Sequence, residues 1–315
     1  MSIVNPQNKL IVILGPTASG KTNLSIKIAK KYSAKGGPAS GWNGVEIVSA
    51  DSRQVYKGLD IGSGKVTKKE MSGIPHYLLD VANPKRKFTV AQYQKLALKT
   101  IRNIQKRNKL PILVGGTGFY IQSIVDGIVI PEIKPNWELR KKLEKKSNEE
   151  LYKILLEKDP VRARTIDKYN PRRLIRAVEI VLATGNPVPS LLNHCEQQRD
   201  GGLEILQLGI QIPQEQLKNN IQKRLTKRLK NNAIINEVKK LHKSLSWKRL
   251  EEFGLEYRFV AQYLQGKIAK EEMINKIQIE SEHYAKRQMT WFKRDRKIHW
   301  IKNQKEADKL TKKIL

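Results

Sequence analysis

The segment Lys9–Thr22 leaves this chain few folds to choose from. The apolar run Lys9–Leu14 (KLIVIL) enters Gly15-Pro16-Thr17-Ala18-Ser19-Gly20-Lys21-Thr22, and a helix is expected from Lys21 to about Tyr32. The loop satisfies G-x-x-x-x-G-K-[ST] at every fixed position. Strand, glycine loop and helix in that order are the context in which such a loop wraps phosphate. Gly15 and Gly20 let the backbone turn so that successive N–H groups face phosphate oxygens. Lys21 brings a point charge to the terminal phosphates. The Thr22 hydroxyl can ligate Mg2+, and the helix N-terminus adds partial positive charge. Gly15 through Thr22 is therefore the expected phosphate site, although the loop alone leaves open which diphosphate or triphosphate it holds.

Further apolar runs occur at Val45–Ser49, Leu110–Val114 and Leu203–Ile212. Helical patterns such as Val90–Lys106 separate them. This predicts an α/β chain with a P-loop NTPase-like parallel sheet core flanked by helices. From Asn136 to Thr184 the pattern is helical and heavily charged, without an obvious strand, and it stops at Thr184-Gly185-Asn186-Pro187. The expected organisation is a core made of residues 1–122 and 197–315, with basic C-terminal helices, and a helical insertion domain at 123–196. The stretch Ser33–Gly44 reads as a Gly/Pro/Ser loop.

Lys and Arg number 61 against 30 Asp and Glu, a formal net charge of +31. Such an excess favours a polyanionic partner, because cations replace counterions along a phosphate backbone. Compositional drift toward surface lysine is the competing reading. The single cysteine, Cys195, rules out an internal disulfide and a multi-cysteine zinc module. No apolar run approaches the ~20 residues of a membrane span, and Met1–Asn8 lacks a signal-peptide pattern. A soluble, cytoplasmic monomer with no membrane partner is expected.

Two further segments follow strands. Ser49-Ala50-Asp51-Ser52-Arg53-Gln54 begins at the end of the second apolar run, where residues face the ligand crevice of a parallel sheet. Asp51 there is either a base or metal ligand, which its position favours, or a helix cap. Gly115-Gly116-Thr117-Gly118 follows the third run. Its glycines allow close backbone approach, and Thr117 is either a ligand contact or an N-cap. His76 is read as a structural histidine in a loop. Near the C-terminus Lys286, Arg287, Lys293, Arg294 and Arg296 surround Trp291 and Phe292. Cations interleaved with aromatics suit phosphates and unstacked bases, although Trp291 itself is expected to be mostly core.

The set GPTASGKT, SADSRQVYKGLDIGSGK, IPHYLLD, PILVGGTGFYI, NPRRLIRAVEI followed by ATG, and AKRQMTWFKRD resembles the tRNA dimethylallyltransferase (tRNA isopentenyltransferase) family, from about Leu10 to Trp300. The resemblance implies a P-loop core that holds dimethylallyl diphosphate in place of ATP, with the flipped adenine of a tRNA anticodon loop entering a shared channel from the other side. It implies Asp51 as general base on the N6 amine, with Thr117 and Arg224 completing the catalytic set and Arg224 meeting the diphosphate. It implies Mg2+ at Thr22, and tRNA contacts from Asp51, Ser52, Arg53, Gln54, Thr117 and Arg140. Lys286, Arg287 and Arg294 are expected to join them. The family's usual glycine in the helix that follows Arg224 reads Asn or Ala here, and two further departures stand out. The family's usual second arginine, four residues before Arg224, is Asn220. Its Gly-Tyr-Lys-Glu pattern reads Gly254-Leu255-Glu256-Tyr257-Arg258. The alternatives are a small-molecule or nucleoside kinase of the same fold and a non-catalytic RNA-binding P-loop ATPase. Neither has a reason to carry both Asp51-Ser-Arg-Gln and Ala285-Lys-Arg-Gln.

Overall fold

The computed structural model describes residues 8–33, 42–188 apart from 129, 132 and 134, and 203–315. Cys195, the last part of the expected insertion and most of the Ser33–Gly44 loop lie outside the described residues. The chain divides into two compact units, Met1–Val125 with Asp200–Leu315, and Asp126–Arg199.

In the first unit β1 (Lys9–Leu14) leads through the glycine loop into α1 (Lys21–Ser33) and β2 (Val45–Ala50). The short α2 (Lys68–Met71) and β3 (His76–Tyr77) precede α3 (Val90–Lys106), β4 (Leu110–Gly115) and α4 (Gly118–Val125). The second unit holds α5 (Trp137–Leu143), α6 (Asn148–Lys158), α7 (Pro160–Thr165) and α8 (Pro171–Thr184). The chain then returns to the first unit as β5 (Glu204–Ile210), α9 (Gln214–Leu229), α10 (Ala233–His242), α11 (Trp247–Glu252), α12 (Leu255–Leu264), α13 (Lys270–Phe292), β6 (His299–Ile301) and α14 (Gln304–Ile314).

The sheet is six-stranded in the order β3-β2-β4-β1-β5-β6, with every pairing parallel. β2 and β4 are buried along their whole length, as strands covered on both faces must be. Alternation sends successive residues to opposite faces. Leu10, Val12 and Leu14 join a core with Val48, Leu113, α3, α4 and the helices α10 to α13. Ile11 and Ile13 join Ile47, Ile112 and α1 on the other side. His76 pairs with Ile47 as part of β3, so the loop expected there is a short strand. Its pattern was too brief to register as a period. α3 starts on a capping box in which Thr89 accepts from Gln92 N and the Gln92 side chain accepts from Thr89 N.

The second unit has its own core of Leu143, Leu151, Leu155, Leu174 and Val178. Glu179, fully buried, accepts from Nε and Nη2 of Arg140 at 2.9 and 2.7 Å and from Arg176 at 2.6 Å. α8 runs from an Asn170 cap with Pro171 in its first turn to Gly185, whose φ of 66° closes it.

One polar group is built into the sheet itself. Glu46 on β2 is 1% exposed and is met by Arg107 at 2.5 and 2.7 Å, Lys109 at 2.7 Å and the Tyr77 hydroxyl at 2.9 Å. Burial pushes its carboxyl up, but the bonds from Arg107, Lys109 and Tyr77 outweigh it and hold the pKa down at about 2. A depressed carboxylate stabilises the fold above its unfolded pKa and loses that contribution as the pH falls through its folded one. Glu46→Gln is therefore expected to lower stability by about 1–3 kcal/mol at neutral pH. In urea titrations the gap to the wild-type protein should narrow as the pH drops from about 4.5 toward 2. A gap independent of pH would assign the loss to packing.

Candidate active site

The loops after β1, β2 and β4 open into one cavity of about 1220 Å³ in the first unit. This is the crevice at the carboxyl ends of parallel strands, where open α/β sheets bind ligands. The phosphate loop forms one wall. Gly20 has φ 88° and Ala18 φ 60°, so the loop takes backbone conformations that its residue types allow only in part. Lys21 Nζ donates to Pro16 O at 2.6 Å and closes the loop on itself. Burial lowers the Lys21 pKa to about 7, with Arg224 lowering it further and Asp51 acting the other way.

Arg224 reaches the loop from α9. Its Nη1 donates to Thr17 Oγ1 at 2.9 Å and its Nη2 to Ser63 O at 3.1 Å. Burial, then the neighbouring Arg228, bring its pKa down to about 10. Asn220, one turn earlier, donates to Ala18 O at 3.2 Å. The substitution of asparagine for the expected arginine thus leaves a loop-bracing amide. The connection after α9 is a 3-10 turn, Lys230–Asn232, in which Asn231 and Asn232 have φ 55° and 53°. Asparagine tolerates this left-handed region, which is why it can stand where glycine is usual.

Asp51 lies in the cavity wall. Its Oδ1 accepts from Arg53 N at 2.8 Å and Gln54 N at 3.2 Å. A turn follows it and not a helix, so the capping interaction orients the carboxylate while leaving it at the ligand space. Thr117 Oγ1 accepts from Ser52 N at 3.0 Å, joining the loops after β2 and β4. The Tyr284 hydroxyl bonds Thr117 as well. Burial and the nearby Asp51 push the Tyr284 pKa up to about 12, so it stays protonated. Arg53 turns inward and donates from Nε to Phe253 O and from Nη1 to Ser52 O. Gln54 donates to Gly64 O at 3.2 Å.

Gly15–Thr22, Asp51–Gln54, Thr117 and Arg224 therefore converge in one unit. Arg287 joins them at the cavity wall, its guanidinium over the Tyr284 ring and 3.8 Å from Glu280. Lys286 is exposed on α13, and Arg294 lies over the Trp291 ring at 5.9 Å. Trp291 is half-buried, packing on the core while lining the cavity and meeting Phe119 edge-on. Arg140 belongs to the second unit, with its guanidinium engaged by Glu179. His76 Nδ1 donates to Ile74 O at 2.8 Å, within its own turn.

The structure also shows residues that sequence reasoning missed. Gln288, 6% exposed, accepts from Thr17 N at 2.8 Å and donates to Gly116 O at 2.7 Å, strapping the phosphate loop to the loop after β4. Its spacing from Tyr284 and Trp291 on α13 was the available signal, since positions four and three apart share a helix face. Glu237 on α10 was invisible by contrast. Its carboxylate accepts from the N–H groups of Asp60, Ile61 and Gly62 at 2.7–3.0 Å and from the Tyr257 hydroxyl at 2.9 Å.

Residues 54–295 match the family model described as IPP transferase. The tRNA dimethylallyltransferase of Carboxydothermus hydrogenoformans is 39% identical over 312 residues, 98% of this chain and 96% of that protein. The structure of the full-length tRNA isopentenylpyrophosphate transferase from Bacillus halodurans superposes with a TM-score of 0.67 at 32% identity, covering 98% of this chain and 94% of that one. That of tRNA delta(2)-isopentenylpyrophosphate transferase from Staphylococcus epidermidis gives 0.66 at 35% identity, with 97% and 98% covered. Alike in its motifs, its sheet and nearly its whole length, this chain belongs to the IPP transferase family, with the tRNA dimethylallyltransferases.

Proposed function

We propose that this chain transfers a dimethylallyl group from dimethylallyl diphosphate to the N6 amine of the adenine 3′-adjacent to the anticodon in tRNA, releasing diphosphate. The observation that carries this is the opening of Asp51 and of the Lys21–Arg224 cation pair into the same cavity. A base and an anion site that share a chamber suit displacement of a diphosphate by an amine.

The amine nitrogen attacks the allylic carbon, whose bond to oxygen breaks with its electron pair leaving on the diphosphate. The amine is weakly nucleophilic because its lone pair is delocalised into the ring. Asp51 accepts the N6 proton as the new bond forms. Lys21, Arg224 and the loop N–H groups hold the charge that develops on the leaving group. Thr117, fixed by Ser52 and Tyr284, positions the base. Extruding an adenine from a loop costs a few kcal/mol, as an order of magnitude.

No group of three His, Cys, Asp or Glu among the described residues is placed to hold a metal ion. That fits Mg2+, which takes one or two protein oxygens and completes its shell with water and substrate phosphates. Thr22, at the cavity, is the side chain that would hold it. When bound it neutralises part of the diphosphate charge. Lys286, Arg287 and Arg294 supply cations for the RNA backbone, and Arg140 does so from the helical insertion, which we read as the tRNA-contacting domain. No helix of the described residues is long and apolar enough to cross a membrane. We read the working form as a cytoplasmic monomer.

The deciding experiment incubates the chain with labelled dimethylallyl diphosphate, unmodified tRNA and Mg2+, without ATP. Label should pass to tRNA. Label transfer that required ATP, or phosphate transfer from ATP to a small acceptor, would favour a kinase. Asp51→Ala should bind tRNA nearly as well as the wild type while losing at least ~10²-fold in single-turnover rate. A near-normal rate would return Asp51 to a purely structural role.

Lys21 supplies a pH test. With its pKa at about 7 in the free protein, it is mostly neutral in mildly alkaline solution. An anion beside it favours the charged form. Diphosphate binding at about pH 8 should therefore take up close to one proton, against almost none near pH 6. Calorimetry in buffers of different ionisation enthalpy reads this uptake, which should be missing in Lys21→Met. Equal uptake in that variant would move the proton to another group.

A further inference from the structure

Arg228 lies one helical turn beyond Arg224 on α9 and is 8% exposed. Its Nη1 is paired with the carboxylate of Glu256, at the start of α12. Its Nη2 is buried and has no hydrogen-bond acceptor among the described residues. Yet Arg228 lines the same cavity as Lys21 and Arg224. Gly64 shows where the free nitrogen lies. Residue 64 has φ 62°, and a Cβ built there would collide with Nη2 of both Arg224 and Arg228. The two guanidinium ends thus meet over one glycine at the cavity wall.

A buried donor without an acceptor is unfavourable, and a like charge beside it adds to the penalty. The repulsion registers on both neighbours. Arg228 lowers the pKa of Arg224, and Arg224 lowers that of Lys21. Glu256, which also lines the cavity, answers the charge of Arg228 through Nη1 alone. What Nη2 lacks is an acceptor, and an anion with several oxygens could accept from both guanidinium forks at once. Asn220, at the position where the family usually places a second arginine, is engaged with Ala18 O and offers no charge.

We infer that Arg228 is a second diphosphate-binding arginine, which closes with Arg224 on the donor's diphosphate while Glu256 holds it in place. The second guanidinium comes from the turn after Arg224 and not from the turn before it. This rests on the prenyl-transfer reading above, since it takes the diphosphate as the ligand. It also ties the two sequence departures together. The residue that replaces the usual pattern at 256 is the partner of the residue that replaces the missing arginine.

The test titrates inorganic diphosphate, with Mg2+, into the full-length chain as wild type, Arg228→Gln, Glu256→Gln and the double variant. Loss of one charge-assisted contact pair predicts about tenfold or greater weakening in Arg228→Gln. The double variant should stay as weak, while Glu256→Gln alone should change affinity by less than about threefold. The double variant leaves no buried charge alone, so it guards against a single variant that fails to fold. Recovery of wild-type affinity in the double variant would show that Arg228 serves only to neutralise Glu256, and the inference would fall. Wild-type affinity in Arg228→Gln would overturn it equally. If the wild-type chain binds no diphosphate, the underlying reading fails together with this one.

Discussion

Positive charge held out of water at the carboxyl ends of the sheet is the constraint around which the first unit is arranged. Half-buried Lys21 and Arg224 lie close to buried Arg228, with the pKa of the lysine drawn to about 7 and that of Arg224 to about 10. Left to hydrophobic packing, such side chains would turn to solvent. They stay because backbone carbonyls and hydroxyls fix them. Pro16 O takes Lys21, while Thr17 Oγ1 and Ser63 O take Arg224. A site of this kind is preorganised for anions, since its dipoles and charges are aligned before any ligand arrives.

That preorganisation depends in turn on side chains whose polar atoms are spent on holding backbone. The carbonyl of Ser63 is where it is because Glu237 gathers the N–H groups of Asp60, Ile61 and Gly62 and Tyr257 receives that of Ser63. A carboxylate accepting from consecutive backbone donors replaces the anion that such a turn would otherwise recruit. Gln288 does the equivalent for the phosphate loop, occupying Thr17 N on one side and Gly116 O on the other. Its amide has an acceptor end and a donor end, which match one N–H and one C=O at once.

The sheet was legible because parallel strands buried on both faces read as plain apolar runs, as in Lys9–Leu14 and Leu110–Val114. The positions of the candidate site were legible where they followed a strand directly, as Asp51 follows β2 and Thr117 follows β4 into the cavity wall. β3 escaped because two residues carry no period. Glu237 and Arg228 escaped for a different reason. Each lies on a helix whose exposed face is rich in charge, and periodicity says which face is apolar but not which polar side chain folds inward, as Glu237 does to Ile61 across 176 residues and Arg228 to Glu256 across 28. Asn231 and Asn232 illustrate a partial signal. The missing glycine was visible, but its conformational equivalent could be recognised only from φ.

The strap at Gln288 bears on how the protein comes into being. Thr17 and Gln288 are 271 positions apart, and between them the chain completes the entire second unit, β5 and four helices before α13. During synthesis the phosphate loop emerges early, next to a strand that still lacks β5 as its neighbour. Its Thr17 N–H has only water to accept from it until α13 has left the ribosome. A nascent chain therefore carries a recognisable phosphate motif for most of its elongation without a finished site. Contacts of such long sequence separation are late and slow to close. The strap between the two loops closes only with the docking of α13, so the finished cavity wall depends on one of the last helices of the sequence.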